Sequence, residues 1–149
     1  MNILIAEDNA LKSNQIIEYL VESLEFKKED ITLVDNKEEA INVLGEREFA
    51  FFVLDMSLPR YKSDSEDIKH LAGKDVLIYM RHRRKNIPTI VITQHDVFGH
   101  HDSQISIDKL RLDLLENFNK FLVGVSGWDS SSEQWKEELN NAIEVCSQK

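Results

Sequence analysis

Ile3-Leu4-Ile5-Ala6-Glu7-Asp8-Asn9 is a run of four apolar residues that stops at two acids and an asparagine. A run so short and so uniformly apolar reads as a strand buried on both faces, the kind a parallel sheet contains. Asp8 and Asn9 can begin a helix, because their side chains accept from free backbone N–H groups. Ile16, Ile17, Leu20, Val21 and Leu24 then recur at helical spacing. A second apolar run, Phe51-Phe52-Val53-Leu54, also ends on an acid, Asp55. If the two runs are parallel neighbours, Glu7, Asp8 and Asp55 converge at one edge of a sheet. Carboxylates crowded in this way raise one another's pKa unless a cation sits among them. A hard divalent ion such as Mg2+ favours such oxygen donors and keeps several waters. The pattern therefore predicts a Mg2+ pocket around one reactive aspartate.

The rest of the chain extends the alternation. Residues 31–34 read as a second strand, with Asp35 or Asn36 as the next cap. Ala40, Ile41 and Leu44 mark a short amphipathic helix with Gly45 near its end. Residues 49–54 make the third strand, and residues 60–68 a polar loop or an extra helical turn. Val76, Leu77 and Met80 give a helix that ends in Arg81-His82-Arg83-Arg84-Lys85, where cations offset the helix dipole. Residues 87–93 form a fourth strand with Pro88 at its entry, and residues 94–104 another polar loop. Ile107, Leu110, Leu114, Leu115 and Phe118 predict a long helix, and residues 121–125 a fifth strand. Ser130-Ser131-Ser132 before Glu133 and Gln134 resembles a capping box. Trp135, Leu139, Ala142, Ile143 and Cys146 share the apolar face of a last helix. Strand and helix alternate five times, which predicts an α/β fold: a doubly wound five-stranded parallel sheet with helices on both faces. Residues 1–149 read as one domain. In such sheets the site lies beyond the carboxyl ends of the strands, where Glu7, Asp8, Asp55 and Thr93 all fall.

Composition narrows the function. The chain has 149 residues, 42% apolar and 30% charged, with a net charge of -9. That charge argues against nucleic acid or anionic membranes as general partners. No apolar run approaches the ~20 residues that span a bilayer. The opening Met1-Asn2-Ile3-Leu4 lacks the pattern of a signal peptide. The lone Cys146 has no internal partner and reads as a small apolar residue. Together these features predict a cytoplasmic protein.

In their order, three segments resemble the receiver domain of two-component response regulators, a flavodoxin-like fold. They are residues 3–9, residues 53–59 (Val-Leu-Asp-Met-Ser-Leu-Pro) and residues 87–93 (Ile-Pro-Thr-Ile-Val-Ile-Thr). The likeness covers residues 1–93 well and the remainder in the order of elements. It implies that Asp55 accepts a phosphoryl group from a histidine kinase or phosphotransfer protein. It implies that Asp8 binds Mg2+ directly, Glu7 through water, and Asp55 and the Met56 backbone carbonyl complete the protein's ligands. Thr93 would contact the phosphoryl group. Phosphorylation would then change contacts with a downstream protein target, and a homodimer through the last two helices and fifth strand stays open. These roles suit phosphoryl transfer, which needs alignment and positive charge on the equatorial oxygens.

The chain departs from the family in three places. The family's lysine at the end of the fifth strand has no counterpart in Val125-Ser126-Gly127-Trp128-Asp129, and Lys120 precedes that strand. Arg60 and Lys74 are the candidate substitutes. The loop after Pro59 is long, with Gly73 following it. Val123 is the nearest match to an aromatic switch residue.

Two other functions stay open. One is a degenerate receiver that acts as an interaction module without phosphorylation. The other is a Mg2+-dependent aspartyl phosphohydrolase, against which Ser57 counts, since such enzymes usually carry a second aspartate at that position. His95, Asp96, His100, His101 and Asp102 suggest zinc, but their spacing is not that of a structural zinc site and they read as a polar loop. His70 and His82 read as surface residues. Trp128 and Trp135 flank the start of the last helix, as core or as interface anchors.

Overall fold

The computed structural model describes residues 1–59, 61, 72–94 and 107–147. Its strands are β1 (Ile3–Ala6), β2 (Ile31–Val34), β3 (Phe51–Leu54), β4 (Thr89–Gln94) and β5 (Leu122–Trp128). Its helices are α1 (Ala10–Glu18), α2 (Lys37–Glu46), α3 (Ala72–His82), α4 (Ile107–Asn117) and α5 (Gln134–Ser147), and the last turns after α1 widen over Tyr19–Ser23. The strands form one parallel sheet in the order β2-β1-β3-β4-β5. This is the doubly wound α/β sheet that the alternation predicts.

The alternation of side chains across each strand divides the core in two. Leu4, Ala6, Phe52, Leu54 and Val91 face α2, α3 and α4 through Ala40, Leu44, Val76, Leu77, Met80, Leu110 and Leu114. Ile3, Ile5, Phe51, Val53, Ile90 and Ile92 face α1 and α5 through Ile16, Leu20, Trp135, Leu139 and Ile143. Both faces of β1 and β3 are thus buried, which is why their sequences carry no polar alternation. Residues 3–6 pair in register with residues 51–54, so Glu7 and Asp55 emerge side by side.

Both predicted helix starts are present. Asn9, rather than Asp8, caps α1 by accepting from the Lys12 N–H at 3.2 Å. Asn36, rather than Asp35, caps α2 by accepting from the Glu39 N–H at 2.9 Å. The start of α5 differs from a capping box: the Ser132 hydroxyl accepts from the Gln134 N–H at 3.3 Å, only two residues on. The fifth strand also differs, running on to Trp128. Ser126 and Gly127, beyond the expected end of the strand at Val125, pair with Ile92 and Thr93. The buried Trp128 ring then joins the core beneath α1 and α5, and that packing outweighs the weak strand preference of Gly127. Cys146 lies half-buried against the same cluster. The polar segment after Pro59, with Arg60 and His70, and the His95, Asp96, His100, His101 and Asp102 group lie outside the described residues.

Candidate functional site

The switch in winding lies at β1 and β3, since β2 flanks β1 on one side and β3 on the other. A backbone bond holds the two carboxyl ends together, the Asp55 N–H donating to the Ala6 carbonyl at 3.1 Å, and the Glu7 N–H ties β1 to β2 through the Val34 carbonyl at 2.9 Å. As a result Glu7, Asp8 and Asp55 each offer a carboxylate oxygen within 4.8 Å of one another. Glu7 and Asp55 are buried, and Asp8 is exposed at the rim. Among the described residues this is the cluster of the kind that can hold a metal ion.

Asp55 is only 2% exposed, and hydroxyls hold both its oxygens. Ser57 Oγ donates to Oδ2 at 2.7 Å, and Thr93 Oγ1 to Oδ1 at 3.2 Å. Thr93 sits on β4 beside Gly127 of β5, fully buried. The Met56 carbonyl accepts from the Gly73 N–H at 3.2 Å, which leaves one lone pair. Gly73 is required there: a Cβ would strike the Asp55 carbonyl and lie 2.6 Å from Met56 Cα. Gly73→Ala is expected to push α3 off this turn and lower stability by about 1–3 kcal/mol, read as a drop in Tm. Because the obstruction is backbone, relaxation would move Asp55 itself.

The sequence reading missed Lys12. Its side chain is 1% exposed and enters the acid cluster from α1. Lys12 Nζ donates to Asp55 Oδ1 at 3.2 Å and to the Ile92 carbonyl. It also stands 2.6 Å from Glu7 Oε1, a buried ion pair. A signal for it was present. Lys12 lies four and eight residues before Ile16 and Leu20, on the stripe that faces the core, where a cation calls for a buried partner. Lys74, one of the two candidate substitutes for the absent lysine, points away: it is 49% exposed and pairs with Asp113 at 3.9 Å.

The electrostatics reflect this crowding. Burial, and then the Asp55 charge, push the Glu7 carboxyl up to about 8, and the Lys12 ammonium only partly offsets them. Burial and then Asp55 also raise Asp8. Glu7 Oε1 accepts no directed hydrogen bond. A divalent cation would relieve both acids, and three converging oxygens at mixed depth suit a hard ion that keeps water ligands. The residues present therefore fit Mg2+.

The sheet order and the acids beyond β1 and β3 define a response-regulator receiver domain. Solved receivers have the same fold. The LuxO receiver of Vibrio parahaemolyticus matches with a TM-score of 0.63 at 18% identity, covering 99% of this chain and 92% of that one. The phosphorylated cyanobacterial phytochrome response regulator RcpA gives 0.63 at 19%, covering 96% and 91%. No protein-family model matches the chain. The Detocs response regulatory protein DtcB of Enterobacter cloacae is 33% identical over 149 residues, 96% of this chain and 98% of that protein. The chain belongs to the family of Detocs response regulatory proteins.

Proposed function

We propose that this protein is a stand-alone receiver that takes a phosphoryl group onto Asp55 and signals through protein contacts. The observation that carries the reading is Asp55 itself, a buried carboxylate aimed by two hydroxyls and flanked by two further acids. Phosphoryl transfer is mostly positioning and charge neutralisation, and the chain's residues are arranged for both. Ser57 and Thr93 fix the plane of the Asp55 carboxylate. Glu7, Asp8, Asp55 and the Met56 carbonyl would hold Mg2+. When bound, that ion supplies positive charge to the transferring group's oxygens.

The donor in this reading is a histidine kinase or phosphotransfer protein. The modified aspartate adds about 1.5–2 negative charges among existing carboxylates, which biases contacts with a downstream target. The net charge of -9 favours protein over nucleic acid or membrane as that target. No helix among the described residues is long and apolar enough to cross a membrane, and the reading places the protein in the cytoplasm. The face of α4, β5 and α5 carries exposed Leu112, Val123 and Val145. It is the surface this reading assigns to a partner or a second copy.

A degenerate receiver is favoured by one observation, the buried Lys12 that already balances part of the acid charge. Acetyl phosphate separates the two. With Mg2+ the intact mass is expected to rise by one phosphoryl group, and chelation of the metal is expected to prevent it. A mass unchanged under both conditions would favour the interaction module. Steady release of phosphate from a generic phosphomonoester would instead favour the phosphohydrolase.

A further inference from the structure

We infer that Lys12 is a catalytic residue of phosphoryl acceptance, its ammonium binding an oxygen of the group that arrives at Asp55. This rests on Asp55 being the acceptor and names the cation that serves it.

Phosphoryl transfer gathers negative charge on the oxygens around phosphorus, and a fixed cation beside the acceptor stabilises it. The end of β5 offers none: Ser126 is buried and donates to the Gly127 carbonyl at 3.0 Å. Among the described residues, Lys12 is the cation touching Asp55. An ammonium has three N–H donors. Two are spent, on Asp55 Oδ1 and on the Ile92 carbonyl. The third lies at the Glu7 ion pair, 2.6 Å from Oε1, so an incoming oxygen would share the ammonium with that carboxylate.

The lysine is also clamped. Glu7 Oε2 accepts from the Asn9 N–H at 2.9 Å, and Asn9 Oδ1 accepts from the Lys12 N–H at 3.2 Å. Lys12 Nζ then returns to Glu7 Oε1, closing a ring from one carboxylate oxygen to the other. The first turn of α1 thus aims the ammonium before any substrate arrives, which is what preorganised electrostatic stabilisation requires.

The step balances simply. An Asp55 oxygen bonds to phosphorus, and the phosphorus bond to the donor breaks. The donor leaves with that electron pair, as acetate when acetyl phosphate is used. No proton moves to or from Lys12.

The test compares wild type with Lys12→Met under saturating Mg2+ and acetyl phosphate, with Mg2+ affinity measured by calorimetry. Loss of one charge-assisted contact is expected to slow labelling about ten- to a hundredfold. Mg2+ should bind the variant at least as tightly, since a positive charge has left the ligand cluster. A lysine with a merely structural role would weaken both together. Equal labelling rates would overturn the inference and leave Asp55 in its role; a wild type that takes no label would overturn both. If Lys12→Met fails to fold, the wild type decides through its Lys12 ammonium signal in 15N NMR. Beryllofluoride, a phosphoryl mimic, is expected to shift that signal, and an unmoved signal would overturn the inference.

Discussion

Asp55→Asn is expected to take no phosphoryl group from acetyl phosphate, with its fold intact. The two parts of that outcome have separate causes. Asparagine has the shape of aspartate, so its carbonyl oxygen can still accept from Ser57 or Thr93, and the backbone bond from residue 55 to Ala6 is unaffected. An amide, however, lacks the anionic oxygen that attacks phosphorus. Intact mass reads the first part and thermal unfolding the second. The variant also removes the charge that, after burial, contributes most to raising Glu7. Its stability should therefore vary less with pH than that of the wild type. Label that persists in Asp55→Asn would move the acceptor elsewhere.

The second large effect is a loss of stability with rising pH in the absence of metal. The Glu7 carboxyl, 4.5 in its ordinary state, lies near 8 in the folded chain. Between those values the folded protein keeps a proton that the unfolded chain has given up, so unfolding becomes easier as pH rises. The contribution is fully present below about 4.5 and is lost as pH passes through about 8. A displacement of this size corresponds to a few kcal/mol, taking about 1.4 kcal/mol per pH unit. Urea midpoints measured at pH 5, 7 and 9 with chelator should fall in that order. Mg2+ should flatten the series, because it binds the ionised carboxylates and stabilises the folded state by mass action. Glu7→Gln should flatten it as well, without metal, and should weaken Mg2+ binding. A midpoint that climbs from pH 5 to pH 9 would contradict the origin assigned to the raised Glu7.

Much of this was legible in the sequence because the acids sit directly after uniformly apolar strands. Ile3-Leu4-Ile5-Ala6 and Phe51-Phe52-Val53-Leu54 can only be buried on both sides, and that burial fixes where Glu7 and Asp55 emerge. Thr93 followed from the same logic on β4. Lys12 did not, because a lysine on a helix ordinarily reaches water. Its phase with Ile16 and Leu20 marks it only when charge is counted along with hydrophobicity. Ser57 was weighed for the aspartate it is not, and its bond to Asp55 needed coordinates. The fifth strand was expected to end at Val125 and its extension through residues 126–128 was missed, because pairing with β4 and the burial of Trp128 are tertiary effects with no local trace.

The four-residue strands have an evolutionary corollary. Side chains of β3 alternate strictly between the two cores, so gaining or losing a single residue among positions 51–54 would exchange its inward sets and turn residue 55 toward the opposite face. Such indels should be purged in descendants of this chain even where point substitutions of one aliphatic for another drift freely, so the spacing of these strands should outlast their spelling.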